Sequence, residues 1–179
     1  MTDRFDITSY VFDPNKGYFV DTNIWLFIDG PMPPTEARSR TYSMAMKRLM
    51  TSGAKIFVDV LVVSEFMNRF ARMEYTQAGG ESSYGGFKQY RRSPAFPAVA
   101  ADIASAVRRM LKTAQRTGTP FANIDVDPVL GLYATGTVDL ADALMCESCG
   151  TKGHILITDD ADMDSAPIPI VTANRKLLP

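Results

Sequence analysis

Seven acidic side chains stand where they can do chemistry together. Asp21 follows the short apolar run G-Y-F-V at 17–20, and Asp59 and Glu65 follow K-I-F-V at 55–58. Asp159, Asp160 and Asp162 follow H-I-L-I-T at 154–158, and Asp142 lies in the segment that feeds that run. Carboxylates gathered in one place repel one another and are costly to strip of water. A protein that collects several at one edge neutralises them with cations. An all-oxygen donor set suits Mg²⁺ or Mn²⁺ rather than zinc. Such ions activate water and stabilise the charge that builds on a phosphate during hydrolysis.

The elements that must position these acids can be read from the same sequence. The apolar runs 17–20, 55–58, 154–158 and 168–172 lack polar alternation, as buried strands do, and 121–126 reads as a further short strand. Asp21-Thr22-Asn23 opens a helix or turn. Thr35 is an expected N-cap for a helix over Ala37–Met50, with Gly53 as its stop. Asp59 caps a helix whose Val62, Phe66, Phe70 and Met73 share one face. Residues 76–97, rich in glycine, serine and proline, read as a flexible insertion or loop. Ala98–Arg116 is helical with a basic face of Arg108, Arg109, Lys112 and Arg116; Asp127-Pro128 opens a short helix. Asp139 caps a helix through Cys149, with Gly150 as its end. Strands alternating with helices give the α/β class, with a parallel sheet covered on both faces and ligands at the carboxyl ends of its strands.

Composition narrows the function classes. The chain has 179 residues, 46% of them hydrophobic, which excludes a charged disordered chain. It carries 19 Lys+Arg against 20 Asp+Glu, a balance unlike that of a strongly basic nucleic-acid binder. The layout is less even. Residues 36–116 hold 14 basic and 6 acidic side chains, and the remainder holds 5 basic and 14 acidic. The length fits one domain over 1–179. No apolar run approaches the ~18–20 residues of a membrane span. The start M-T-D-R-F-D lacks a secretory signal's apolar stretch, and two cysteines make no disulfide framework, so a cytoplasmic protein is expected.

In order, Y-F-V-D-T-N-I at 18–24, V-V-S-E-F at 62–66, D-L-A-D-A-L-M at 139–145 and I-L-I-T-D-D-A-D-M at 155–163 resemble the successive motifs of the PIN-domain ribonucleases. I-V-T-A-N at 170–174 is similar to that family's last strand. The resemblance spans roughly residues 17–175. It implies a PIN-like three-layer α/β/α sandwich around a central parallel sheet of about five strands. It also implies metal-dependent RNA cleavage, as in VapC-like toxins of toxin–antitoxin pairs. By the resemblance, Asp21, Glu65, Asp142 and Asp160 match the acids that bind Mg²⁺ or Mn²⁺, Asp162 an additional acid, and Asn23 and Thr158 polar residues that orient the site. Asp139 and Asp159 offer competing registers; D-A-L-M favours Asp142, and the one-residue step from Thr158 favours Asp160. The chain departs from a typical toxin in an N-terminal extension over 1–16 and in the 76–97 segment. RNA is the implied substrate, and a cognate antitoxin protein and a homodimer are the admissible protein partners. Lys88, Arg91 and Arg92, interleaved with Tyr84, Phe87 and Tyr90, and the helix cations Arg108, Arg109 and Lys112 are the expected RNA contacts.

Each signal has a plainer reading. Asp-Thr-Asn is good turn chemistry, Asp142 suits the first turn of a helix, and a run of aspartates is ordinarily a solvated loop. Glu65, among Val62, Val63 and Phe66, is expected to be partly buried. Cys146-x-x-Cys149 lacks a second pair and reads as packing, and His154, the only histidine, reads as structural. A catalytically silent RNA- or protein-binding module is the main alternative. A phosphohydrolase is disfavoured because Asp21-Thr22-Asn23 lacks the D-x-D pattern.

Overall fold

Apolar strand segments too short to alternate must be covered on both faces, and this dictates the architecture. The computed structural model describes residues 3–31, 36–118 and 121–179; Thr35 lies outside them. In chain order the elements are β1 (Arg4–Asp6), β2 (Gly17–Val20), α1 (Thr22–Asp29), α2 (Ala37–Ser52), β3 (Lys55–Val58), α3 (Val60–Gln77), α4 (Gly80–Tyr84), α5 (Phe87–Tyr90) and α6 (Phe96–Thr113). β4 (Gln115–Arg116), α7 (Val126–Tyr133), α8 (Leu140–Lys152), β5 (Ile155–Ile157) and β6 (Ile170–Thr172) follow. All pairings are parallel, in the order β1-β6-β5-β2-β3-β4. Consecutive residues Tyr18, Phe19 and Val20 of β2, and Leu156 and Ile157 of β5, are buried, so helices cover both faces. The result is a PIN-like α/β/α sandwich.

The sheet has six strands where about five were expected. The sixth comes from the N-terminal extension, whose β1 pairs with β6 from Arg4↔Ile170 to Asp6↔Thr172. The Arg4 guanidinium fastens that edge by donating to the carbonyls of Ile168 (2.8 Å), Asp164 (2.8 Å), Ala166 (2.9 Å) and Met163 (3.3 Å). Arg48 of α2 donates to the carbonyls of Ile7 and Thr8 on the same extension.

Three expectations change in the structure. Residues 121–126 form a 3-10 turn at Phe121–Asn123 and the start of α7, not a strand; the edge strand is Gln115–Arg116, so Arg116 leaves the basic helix face. Residues 76–97 contain α4 and α5 rather than a featureless loop. Their rings pack together: Tyr84 lies edge-on to Tyr90 at 4.8 Å, Tyr75 meets Tyr90 at 5.6 Å, and Phe96 meets Tyr90 at 5.5 Å. Tyr90 is 1% exposed and is not available to stack on a base. α8 runs to Lys152, past Gly150, and stops at Gly153, which takes the left-handed conformation (φ 64°) that ends helices.

Candidate active site

β2 is followed by β3 on one side, and the chain later returns through β5 and β6 on the other. The crevice between the carboxyl ends of β2 and β5 is therefore a topological switch point, where open α/β sheets bind ligands. Asp21 and Thr158 face each other across it. The ladder continues one step beyond the strands, with Asp21 N donating to Ile157 O (3.1 Å) and Thr158 N to Val171 O (3.3 Å).

Asp21 is the N-cap of α1 and only 5% exposed. Its Oδ1 accepts from Thr22 N (2.5 Å), and its Oδ2 accepts from Thr158 Oγ1 (2.6 Å) and Asn23 Nδ2 (2.6 Å). Burial pushes this carboxyl up to about 6; the Thr158 hydrogen bond pulls it down, and the charges of Glu65 and Asp160 push it up again. Asn23 also donates to Thr158 Oγ1 (3.2 Å), and its Oδ1 accepts from Asp159 N (3.1 Å). Asn23 thus joins the ends of both strands.

The other acids arrive on separate elements. Glu65 hangs from α3, where its Oε2 accepts from Thr22 Oγ1 (2.8 Å) and its Oε1 pairs with Arg69 Nη1 (3.2 Å). Its side chain is 44% exposed, more open than its apolar neighbours suggested, because Val62 and Phe66 face the core while Glu65 points to the crevice rim. Asp142 lies half-buried in the first turn of α8. Burial raises its carboxyl to about 7, and the charges of Asp139, Asp21, Asp160 and Glu65 add to the rise. Asp160 caps the 3-10 turn at Ala161–Ser165 by accepting from Asp162 N (3.0 Å), and its own N–H donates to Thr158 Oγ1 (3.0 Å). Asp162 is exposed at the rim.

The competing acids have other work. Asp159 is buried and bound to Arg38 Nη1 (2.7 Å) and the Tyr42 hydroxyl (2.7 Å). Asp139 caps α8 by accepting from Asp142 N (2.9 Å), and Asp59 caps α3 by accepting from Val62 N (3.0 Å). Cys146 and Cys149 are free and buried; burial lifts the Cys146 thiol to about 12, so both serve as core. His154 stacks on Phe57 at 4.3 Å, at the opposite end of β5 from the acids. A side chain at Gly17 would strike both rings, its Cβ falling 2.7 Å from His154 and 2.8 Å from Phe57.

Every side chain of the acidic crevice offers oxygen, and the neighbouring carboxylates help raise the proton affinity of Asp21 and Asp142. That donor chemistry fits a hard divalent cation. Among the described residues, no three His, Cys, Asp or Glu side chains are gathered closely enough to hold one ion as they stand. Thr22, Asn23 and Thr158 hold the Asp21 carboxylate in place.

The cations beside this crevice are ones the sequence did not single out. A cleft of about 340 Å³ next to Asn23 and Asp160 is lined by Arg38, Arg69 and Lys176. Arg69 alone carried a signal, standing four residues after Glu65 on a helix. Lys88, Arg91 and Arg92 line a separate pocket with Phe87, and Arg109 is paired with Asp29 (2.6 Å). Arg108 and Lys112 lie exposed on α6, and neither they nor the other expected RNA contacts line the cleft.

Comparison with known proteins gives the fold alone. No protein-family model and no curated protein matches the chain. Among solved structures, a chain of the VapBC2 complex from Rickettsia felis, bound to a DNA fragment from its promoter, superposes with a TM-score of 0.58 at 12% identity. The match covers 87% of this chain and 98% of that one. No helix among the described residues is long and apolar enough to cross a membrane.

Proposed function

We propose that the chain is a Mg²⁺- or Mn²⁺-dependent endoribonuclease that hydrolyses RNA phosphodiester bonds and acts as the toxin of a toxin–antitoxin pair. The observation that carries this reading is Asp21: a carboxylate buried at the switch point and coupled in charge to Glu65, Asp142 and Asp160. A structural protein gains nothing from such mutual repulsion, whereas a cation site needs it. Asp21, Glu65, Asp142 and Asp160 would hold the ion, with Asp162 at the rim. When bound, the ion would activate water and stabilise negative charge on the phosphate.

The chain's own residues prepare the site. Thr158 and Asn23 direct their donors at Asp21 Oδ2, so the carboxylate is aimed before any ligand arrives. Thr22 holds Glu65 at the rim, and Thr158 also fixes the backbone of Asp160. Asp142 accepts a proton near neutral pH in the ion-free protein and releases it when positive charge enters. The toxin role draws on the VapBC2 likeness, which also motivates an antitoxin partner.

The test is cleavage of single-stranded RNA. EDTA should abolish it, Mn²⁺ should restore it, and Asp21→Asn should remove it with the circular dichroism spectrum retained. RNA bound but left intact in Mn²⁺ would identify a silent binding module instead. Growth arrest on expression, relieved by a small protein encoded beside it, tests the toxin role.

A further inference from the structure

The two flanks of the acidic crevice differ in chemistry. Beyond β3 and β4, a pocket of about 240 Å³ is lined chiefly by Val58, Val60, Val63 and Leu111, with Arg116 its one cation among the described residues. Beyond β5, the cleft next to Asp160 carries Arg38, Arg69 and Lys176, with Phe27 in its wall. Arg38 uses one guanidinium nitrogen on buried Asp159, and Arg69 uses one on Glu65. A guanidinium has five N–H donors, so each retains donors for a second anion while its position is already set. The main chain at Lys176 is tied to the same framework, since its backbone N–H donates to Asn174 Oδ1 (3.1 Å) and Asn174 Nδ2 donates to Asp159 O (2.7 Å); the side chain itself is exposed. Phe27 is half-buried, and its ring is held parallel to Tyr42, 3° apart in plane and 5.6 Å between centroids. Two ion-paired guanidiniums and an exposed ammonium around a fixed ring have the chemistry that takes up a phosphodiester and its base.

We propose that this cleft is a nucleotide subsite of single-stranded RNA, binding the residue next to the hydrolysed bond. Arg38, Arg69 and Lys176 hold its phosphate, and Phe27 supports its base. The inference deepens the ribonuclease reading and rests on it. It moves the backbone contact away from Lys88, Arg91 and Arg92, whose aromatic neighbours pack on one another.

The experiment is a fluorescence-anisotropy titration of a labelled RNA decamer at several salt concentrations, in the Asp142→Asn background that leaves the RNA intact. Lys176→Ala should weaken binding and reduce the slope of log K against log salt by about 0.7, the value for one single-strand phosphate contact. Phe27→Leu should weaken binding about tenfold with the slope unchanged. Arg91→Ala with Arg92→Ala should alter neither. The subsite is overturned if Lys176→Ala leaves affinity and slope unchanged, if the slope change follows Arg91 and Arg92, or if the parent does not bind the decamer. Cleavage by the native protein is read separately. Binding as expected with no Mn²⁺-dependent cleavage overturns the ribonuclease reading alone, and cleavage with an indifferent Lys176→Ala overturns the subsite alone.

Discussion

Replacing Asp142 by asparagine should make the ion-free protein more stable while removing its activity. The Asp142 carboxyl is raised from 3.8 to about 7, first by burial and then by Asp139, Asp21, Asp160 and Glu65. For a fully shielded group, a rise of that size corresponds to ~4 kcal/mol of penalty on the ionised form. Asp142 is only half-buried, and solvent screening reduces the penalty to ~2 kcal/mol. Asparagine forfeits the favourable meeting of a carboxylate with the α8 N-terminus, about 0.5 kcal/mol. The net gain is ~1–2 kcal/mol at pH 8. The sign follows from linkage. An acid with a raised folded value binds more protons folded than unfolded, so native stability falls as pH rises from about 4 to 7. The variant's advantage should therefore be present at pH 8 and absent at pH 4. Urea unfolding in EDTA at both pH values measures it, as a higher midpoint with an unchanged m-value. Added Mn²⁺ should then raise the melting temperature of the native protein in a concentration-dependent way and leave the variant nearly unmoved. A variant no more stable than the parent at pH 8, or equally favoured at both pH values, would refute the charge-repulsion argument.

Thr158→Val keeps shape but removes the donor to Asp21 Oδ2 and the acceptor for Asp160 N, which should cost about 1–3 kcal/mol in thermal or urea unfolding. Losing that donor also raises the Asp21 carboxyl further, so the acidic limb of the pH–cleavage profile should move to higher pH. Arg4→Ala leaves the carbonyls of Met163, Asp164, Ala166 and Ile168 without their shared donor. It should cost roughly 1–3 kcal/mol and speed hydrogen exchange in residues 163–171 before the rest of the sheet.

Much of the architecture is legible in the chain because the signals are local. Apolar runs ending in polar residues mark β2, β3, β5 and β6, and Asp59, Asp139 and Gly53 mark helix ends through side-chain and backbone preferences that depend on near neighbours. The elements missed or misread are those whose form depends on distant partners. β1 and β4 are only three and two residues long and become strands by pairing with β6 and β3. The 76–97 segment reads as a loop by composition, yet its rings find one another and fold it into α4 and α5.

The acidic residues show the same division. Their types and order along the chain are written in the sequence, and so is their likeness to the PIN motifs. Their division into roles is not. Side chains alternate along an extended segment. Past β5, Thr158 meets Asp21, Asp159 meets Arg38 and Tyr42, and Asp160 stands on the side of Thr158. The one-residue step from Thr158 favours Asp160, but what occupies Asp159 is not written beside it, because Tyr42 and Arg38 lie more than a hundred residues away. The cations beside the crevice obey the same rule. Arg38 comes from α2, Arg69 from α3 and Lys176 from the segment after β6, and only the tertiary fold brings them to one cleft.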